Sequence, residues 1–256
     1  MLKVIAFDLW ETLITDTPEV SRAQERLRLA RMESILLAHN HTAEVAQIER
    51  AYRSLWKRCH ELYWSADRDI PCRRQIEVFL EELAIDWKAL EVTTLDELEH
   101  AYATAAVEIP PAVVPSAREV LAEVRKRGLR TGLISNTGRT PGYALREILD
   151  ELEIAPMLDA MVFSNEHGAC KPHQSIFEQL RSTLGVAYDE ILFVGDNLYA
   201  DILGAKRCGM HAVHFVPPVR GTAVAPVMQH ERVVADGTIT NLRDLLGVIE
   251  GLGIRD

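Results

Sequence analysis

Lys3-Val-Ile-Ala-Phe7-Asp8-Leu9-Trp10-Glu11-Thr12-Leu13 is the stretch on which the reading of the chain turns. Four apolar residues, Val4 to Phe7, follow a lysine and stop abruptly at an acid. A short continuous apolar run of this kind is the pattern of a strand buried on both faces of a parallel sheet, and it delivers a carboxylate, Asp8, at its C-terminal end. The same grammar returns at Arg130 to Ile134 before Ser135 and Asn136, and at Met161 to Phe163 before Ser164 and Asn165. It returns again at Ile191 to Val194 before Gly195 and Asp196, and at Ala212 to Val216 before a pair of prolines. Helical periods lie between these runs, at Ala117 to Arg127, Gln174 to Leu184 and Asp201 to Cys208, the last stopping at Gly209. Strands alternating with helices predict an α/β fold built on a Rossmann-like, doubly wound parallel sheet.

Residues 15–112 break this rhythm. They carry helical periods over Val20 to Leu37, Ala43 to Trp64, Arg73 to Leu83 and Leu95 to Val107, with no convincing strand. The expected organisation is therefore a core made of residues 1–14 and 113–256, interrupted by an all-helical insert of residues 15–112. Thr15 to Pro18 leads out, and the proline-rich Ile109 to Pro115 leads back as a stiff linker. Beyond the fifth strand the sequence reads as a long surface loop over Pro217 to Val227, a weak strand at Val233 to Ala235, and a closing helix from Leu242 to Ile249.

Composition narrows the partners. With 256 residues, 48% hydrophobic and 26% charged, the chain can bury a core without staples. A formal net charge of −10 repels polyphosphate backbones, so nucleic acid is not expected, while a small anionic substrate is compatible if a pocket gathers positive charge or a cation. Cys59, Cys72, Cys170 and Cys208 lie no closer than 13 residues apart, which fits neither a zinc module nor a disulfide framework and points to reduced thiols. No apolar run approaches the roughly 18 residues needed to span a bilayer, and Asp8 interrupts what would be the core of a signal peptide. The expected setting is the cytoplasm, away from membranes.

In open parallel sheets the ligand site lies beyond the carboxyl ends of the strands, at the point where the strand order reverses. Asp8, Ser135, Asn136, Lys171, Asp196 and Asp201 should converge there. Three carboxylates so gathered repel one another unless a cation joins them, and Mg²⁺, a hard ion that prefers oxygen ligands, suits the set.

In order and spacing these residues resemble the four motifs of the haloacid dehalogenase superfamily. Phe7 to Leu13 resembles the first, Ile134-Ser135-Asn136 the second, Lys171-Pro172 the third, and Val194-Gly195-Asp196-Asn197 through Asp201 the fourth. The resemblance covers the first 14 or so residues and everything from about Pro115 onward, and it accounts for the insert, because many members carry a helical cap between the first two motifs. It implies a nucleophile at Asp8, forming a covalent intermediate. Ser135 and the backbone N–H of Asn136 would bind the oxygens of the transferring group, and Lys171 would screen charge between nucleophile and substrate. It further implies Mg²⁺ held by Asp8, Asp196 and the backbone carbonyl of Trp10, with Asp201 bonding to metal-bound water or to Lys171. The expected activity is hydrolysis of a small phosphomonoester through an aspartyl-phosphate.

Trp10 departs from that pattern. Phosphatases of the family have a second aspartate two residues after the nucleophile, serving as general acid and base, and an indole does neither job. The dehalogenase branch carries an aromatic residue there, which keeps open a metal-independent 2-haloacid dehalogenase working through an ester on Asp8. A third alternative is a weakly active or inactive member that binds a ligand. Against the dehalogenase stands the acidic pair Asp196 and Asp201. Glu11 is expected on the opposite side of an extended strand. Arg22, Arg26, Arg28 and Arg31 read as a solvated helix face, Trp56, Tyr63 and Trp64 as core, Glu166 as structural, and His173 as the histidine nearest the site.

Overall fold

The structure is a computed structural model that describes residues 1–219, 221 and 233–252. The apolar run before Asp8 forms β1 (Val4–Phe7), every residue of it buried. Two short strands, β2 (Ile14–Thr15) and β3 (Ala112–Val113), bracket the helices α1 (Pro18–Ala38), α2 (Val45–Leu62), α3 (Cys72–Glu82), α4 (Val92–Ala103) and α5 (Ala105–Glu108). There follow α6 (Ala117–Lys126), β4 (Arg130–Ser135), α7 (Gly142–Glu151), β5 (Ala160–Phe163), α8 (Ser164–His167), α9 (Gln174–Leu184) and β6 (Ile191–Gly195). A π-helical turn (Leu198–Leu203), α10 (Gly204–Arg207), β7 (His211–Phe215), β8 (Gly237–Ile239) and α11 (Leu245–Gly251) complete the described chain.

The main sheet has the order β5-β4-β1-β6-β7-β8, with every pairing parallel. β1 is central, with Phe7 opposite Leu133 on β4 and Val194 on β6. Side chains alternate across a strand, so Ile5 and Phe7 enter the core under α6, α7 and α11, while Val4 and Ala6 enter the one under α9 and α10. With both faces covered, a continuous apolar run is what such a strand requires. The helices between β2 and β3 bury a separate cluster that includes Met32, Leu36, Ile48, Leu55, Ile76, Phe79 and Leu98. Local chemistry starts α1: Thr17 accepts from the Val20 N–H and Pro18 opens the first turn.

Several expectations shift. β2 and β3 pair antiparallel, Ile14 opposite Val113 and Thr15 opposite Ala112, so both crossings into the helical insert run through one short ribbon where no strand was expected. Gln24 strengthens that junction by donating to Asp16 (3.3 Å) and to the Ile109 carbonyl (2.9 Å). The expected strand at Val233 to Ala235 lies four residues later, because β7 pairs Val213 with Gly237. α7 is absent from the sequence reading, and its buried Ala144, Leu145, Ile148 and Leu149 show the helical period that was passed over. Most of the expected loop over Pro217 to Val227 falls outside the described residues. Among the described residues, no helix is long and apolar enough to cross a membrane, and all four cysteines are buried free thiols.

Candidate active site

Because β1 lies between β4 and β6, the reversal of strand order places the carboxyl ends of these three strands side by side. Asp8 leaves β1 with its N–H bonded to the Val194 carbonyl (2.8 Å). Asp201 comes from the π-helical turn behind β6, which Asn197 caps by accepting from the Tyr199 and Ala200 N–H groups. Asp201 also accepts from the Asn197 N–H (2.9 Å), and it presses so closely on β6 that a Cβ on Gly195 would stand 2.3 Å from its Oδ2. Glycine at 195 is therefore a condition of the site. One carboxylate oxygen from each of Asp8, Asp196 and Asp201 lies within 4.8 Å of the others.

Lys171 reaches this cluster with a side chain that is 1% exposed. Its Nζ donates to Asp8 Oδ1 (2.5 Å) and to the Ile134 carbonyl (2.9 Å), and pairs with Asp201 Oδ1 at 2.7 Å. Asn136 anchors it: the side-chain amide accepts from the Lys171 N–H (2.9 Å) and donates to the Lys171 carbonyl (3.1 Å), tying the second motif to the third. Burial pushes the Asp8 carboxyl up to about 7; Lys171 pulls against that rise and the Asp201 charge adds to it. Burial opposes the Lys171 ammonium, yet Asp201 and Asp8 outweigh it and hold the lysine above its ordinary value. The group is short of positive charge. Three hard carboxylates gathered around one ammonium make a donor set suited to a divalent cation.

The cluster floors a cavity of about 650 Å³ whose opposite wall comes from the helical insert. Asp8, Trp10, Asn136, Lys171, Asp196 and Asp201 line it. Ser135 does not: it is fully buried at the end of β4, and its hydroxyl makes only a 3.5 Å contact with the Asn136 carbonyl. His173 is also absent from the lining, since its Nδ1 caps α9 by accepting from the Ser175 N–H (3.2 Å). Glu166 pairs with Arg146 (2.5 Å), as a structural residue would.

Glu11 does not extend past Asp8 as expected. It adopts a left-handed φ of 62°, is 1% exposed, and accepts from Thr15 Oγ1 (3.1 Å) and the Gly221 N–H (2.7 Å). The chain turns back on itself immediately after Trp10.

The insert supplies what the sequence reading assigned elsewhere. Arg28 is no solvated residue: it is buried, donates to the Tyr102 carbonyl (2.8 Å) and to Thr140 Oγ1 (3.4 Å), and lines the cavity. Trp56 and Trp64, expected in the core, both line the cavity, their ring centroids 4.6 Å apart and their planes tilted by 54°, and Trp64 also packs against the core of the insert. Tyr52, Trp56 and His60 follow at intervals of four on α2, so their spacing was a visible sign of one shared face. Asp69 is buried and accepts from Trp64 Nε1 (2.8 Å), from the Ile70 N–H (2.8 Å), from Thr137 Oγ1 (3.3 Å) and, most closely, from Ser164 Oγ. No spacing rule finds it. The arrangement can hold a cation, present a carboxylate to an electrophile, and enclose a small substrate between sheet and insert.

Comparison with known proteins agrees with this layout. The haloacid dehalogenase-like hydrolase family matches residues 2–209. A glyceraldehyde 3-phosphate phosphatase of Pyrococcus abyssi is 33% identical over 84% of this chain and 82% of its own length. One from Pyrococcus furiosus is 30% identical over 97% and 93%. Among solved structures, a 2-haloacid dehalogenase of Pseudomonas syringae shares the fold at a TM-score of 0.67 and 21% identity, covering 98% of this chain and 99% of that one. With that family matched over residues 2–209, and with relatives 33% and 30% identical over most of their own lengths, the chain belongs to the haloacid dehalogenase-like hydrolases.

Proposed function

We propose that this protein is a Mg²⁺-dependent phosphomonoester hydrolase acting on a small phosphorylated metabolite through an aspartyl-phosphate on Asp8. The observation that carries the reading is the cluster of Asp8, Asp196 and Asp201 around Lys171 at the cavity floor. The phosphatase names of the two Pyrococcus relatives support it.

Residues 15–112 are the cap and residues 1–14 with 113–256 the catalytic core. Asp8, Asp196, the Trp10 carbonyl and, less directly, Asp201 would hold the ion. When bound, Mg²⁺ supplies positive charge that favours the ionised nucleophile and the phosphoryl oxygens. Asp8 attacks phosphorus, and the leaving alkoxide departs as the Asp8 oxygen–phosphorus bond forms. Lys171 stays protonated and spreads positive charge between the nucleophile and the transferring group. The Asn136 N–H binds a phosphoryl oxygen, while its side chain fixes the lysine. Ser135, for its hydroxyl to reach the substrate, must turn away from the Asn136 carbonyl. Water then attacks the aspartyl-phosphate, releasing phosphate and restoring Asp8. Aromatic side chains of the cap cover the cavity and exclude bulk water during the charged steps. Buried free thiols fit a cytoplasmic setting.

The experiment is release of inorganic phosphate from a panel of esters, with and without Mg²⁺, and with Asp8→Asn as blank. Turnover that needs Mg²⁺ and vanishes in the blank is expected; turnover surviving in Asp8→Asn overturns the assignment. One observation favours a second reading: an indole at Trp10 and a buried arginine, Arg28, in the cavity wall suit a haloacid dehalogenase. Halide release from 2-haloacids without metal would establish it in place of the first.

A further inference from the structure

The loop after β4 carries a cation that the phosphoryl site does not use. Three residues of the insert grip this loop: Gln75 donates to the Gly138 carbonyl (2.8 Å), Arg28 donates to Thr140, and Asp69 accepts from Thr137. Gly138 adopts a left-handed φ of +60°, and a Cβ there would come within 3.2 Å of the Trp56 ring. The grip therefore brings the loop directly against α2. Between its fixed points stands Arg139, whose guanidinium carbon lies 4.8 Å from the centroid of the Tyr52 ring and 5.0 Å from that of Trp56.

Arg139 lines the cavity and, among the described residues, is paired with no protein anion. Among the described residues no carboxylate lies within the 4.0 Å of an ion pair, and its buried Nε has no hydrogen-bond partner. Glu25, the acid whose charge reaches it, faces Arg53 instead (3.9 Å). Aromatic rings satisfy the faces of a guanidinium but leave its N–H edges in the plane, where they match the two oxygens of a carboxylate or phosphate. A cation set into a cavity wall without an internal counter-charge is stabilised best by an anion from outside.

We propose that Arg139 binds a second anionic group of the substrate, a carboxylate or a second phosphate, so that this hydrolase selects phosphorylated acids or bisphosphates over esters of neutral alcohols. The proposal deepens the phosphatase reading and rests on it.

The test pairs esters that differ only in the distal group. 2-Phosphoglycolate is compared with 2-hydroxyethyl phosphate, and propane-1,3-diol bisphosphate with its monophosphate; the pair showing the larger ratio of kcat/KM identifies the distal group as carboxylate or phosphate. The unmodified protein should favour the anionic member of one pair by about 10- to 100-fold, the scale of charge-assisted hydrogen bonds. In Arg139→Gln that ratio should fall towards one, mainly through KM, and Arg139→Lys, which keeps the charge and loses the fork, should retain part of it. Equal use of both members by the unmodified protein, or an unchanged ratio in both variants, overturns the proposal and leaves the hydrolase reading standing. Calorimetric binding of the same esters to Asp8→Asn reads the subsite without turnover. Tighter binding of the anionic member there, together with no ester hydrolysis by the unmodified protein, would uphold Arg139 and overturn the phosphatase.

Discussion

Replacing Lys171 by methionine removes one charge and leaves two buried carboxylates facing each other. Nζ touches Asp8 at 2.5 Å and Asp201 at 2.7 Å, and the lysine side chain and Asp201 are each 1% exposed. Breaking a buried pair from one side costs about 3–5 kcal/mol, because the remaining charge is left without compensation. In a chain of this size each kcal/mol moves Tm by about 2–4 °C, so Lys171→Met should melt about 6–20 °C below the unmodified protein near pH 8. The loss should depend on pH in a definite direction. Asp8 has a folded pKa of about 7 against an ordinary value of 3.8, so its neutral form supports the fold fully below about 3.8, and that support is lost as pH rises through 7. Removing the lysine raises the folded value further. The variant should therefore lie nearer the unmodified protein at pH 5 than at pH 8, and millimolar Mg²⁺ at pH 8 should recover part of the deficit. Thermal unfolding followed by circular dichroism at the two pH values, with and without Mg²⁺, measures all of this. Equal stability of the two proteins at pH 8 without metal would refute the account of Lys171 as the charge that holds the cluster together.

Mg²⁺ should raise the Tm of the unmodified protein and Asp196→Asn should abolish that rise, because an ion that binds only the folded state stabilises it by mass action; a shift of undiminished size in the variant would place the ion elsewhere. Gly195→Ala should displace the Asp201 carboxylate, whose Oδ2 would meet the new Cβ at 2.3 Å, and lower kcat at least about 10-fold, with activity at the parental level as the contrary result. Without an acid at position 10, rates should fall steeply as the leaving-group pKa rises, and Trp10→Asp should speed alkyl phosphates by up to about 10²-fold; a flat dependence in the unmodified protein would mean that another group supplies the proton. Asp16 is pushed up to about 6 by burial, against Arg28 and Gln24, so its neutral form favours the fold below about 3.8 and that support fades as pH rises through 6. Asp16→Asn should flatten the pH dependence of urea unfolding over that window, and an unaltered profile would count against the assignment.

Some of this molecule could be read directly along the chain. The run Val4–Phe7 suits its environment, because a strand covered on both faces carries apolar residues in succession, and its terminal acid marks the end at which ligands bind. Asp8, Asn136, Asp196 and Asp201 were legible because each follows an apolar strand or falls in the turn behind it, and the order of strands in such a sheet brings those ends together; Lys171 was legible through the motif it forms with Pro172. Glu11 was misread because alternation along a strand was extended one residue too far, past the point where the backbone turns left-handed. Arg28 was misread because a helix rich in charge gives no sign of which charge a neighbouring loop will cover.

The sequence by itself determined the parallel core, the helical interruption and the identity of the charged cluster, since all three follow from periodicities and punctuation that act over a few residues. Only the tertiary structure decided that Ser135 sits behind the cavity lining, that Trp56 faces the cavity beside the core residue Tyr52, and that Arg139 lies against both rings with no acid among the described residues paired to it. Those outcomes depend on how the insert, held to the core by the β2–β3 ribbon, meets the loop after β4. That meeting joins residues some 60 to 110 positions apart, and no local pattern encodes it.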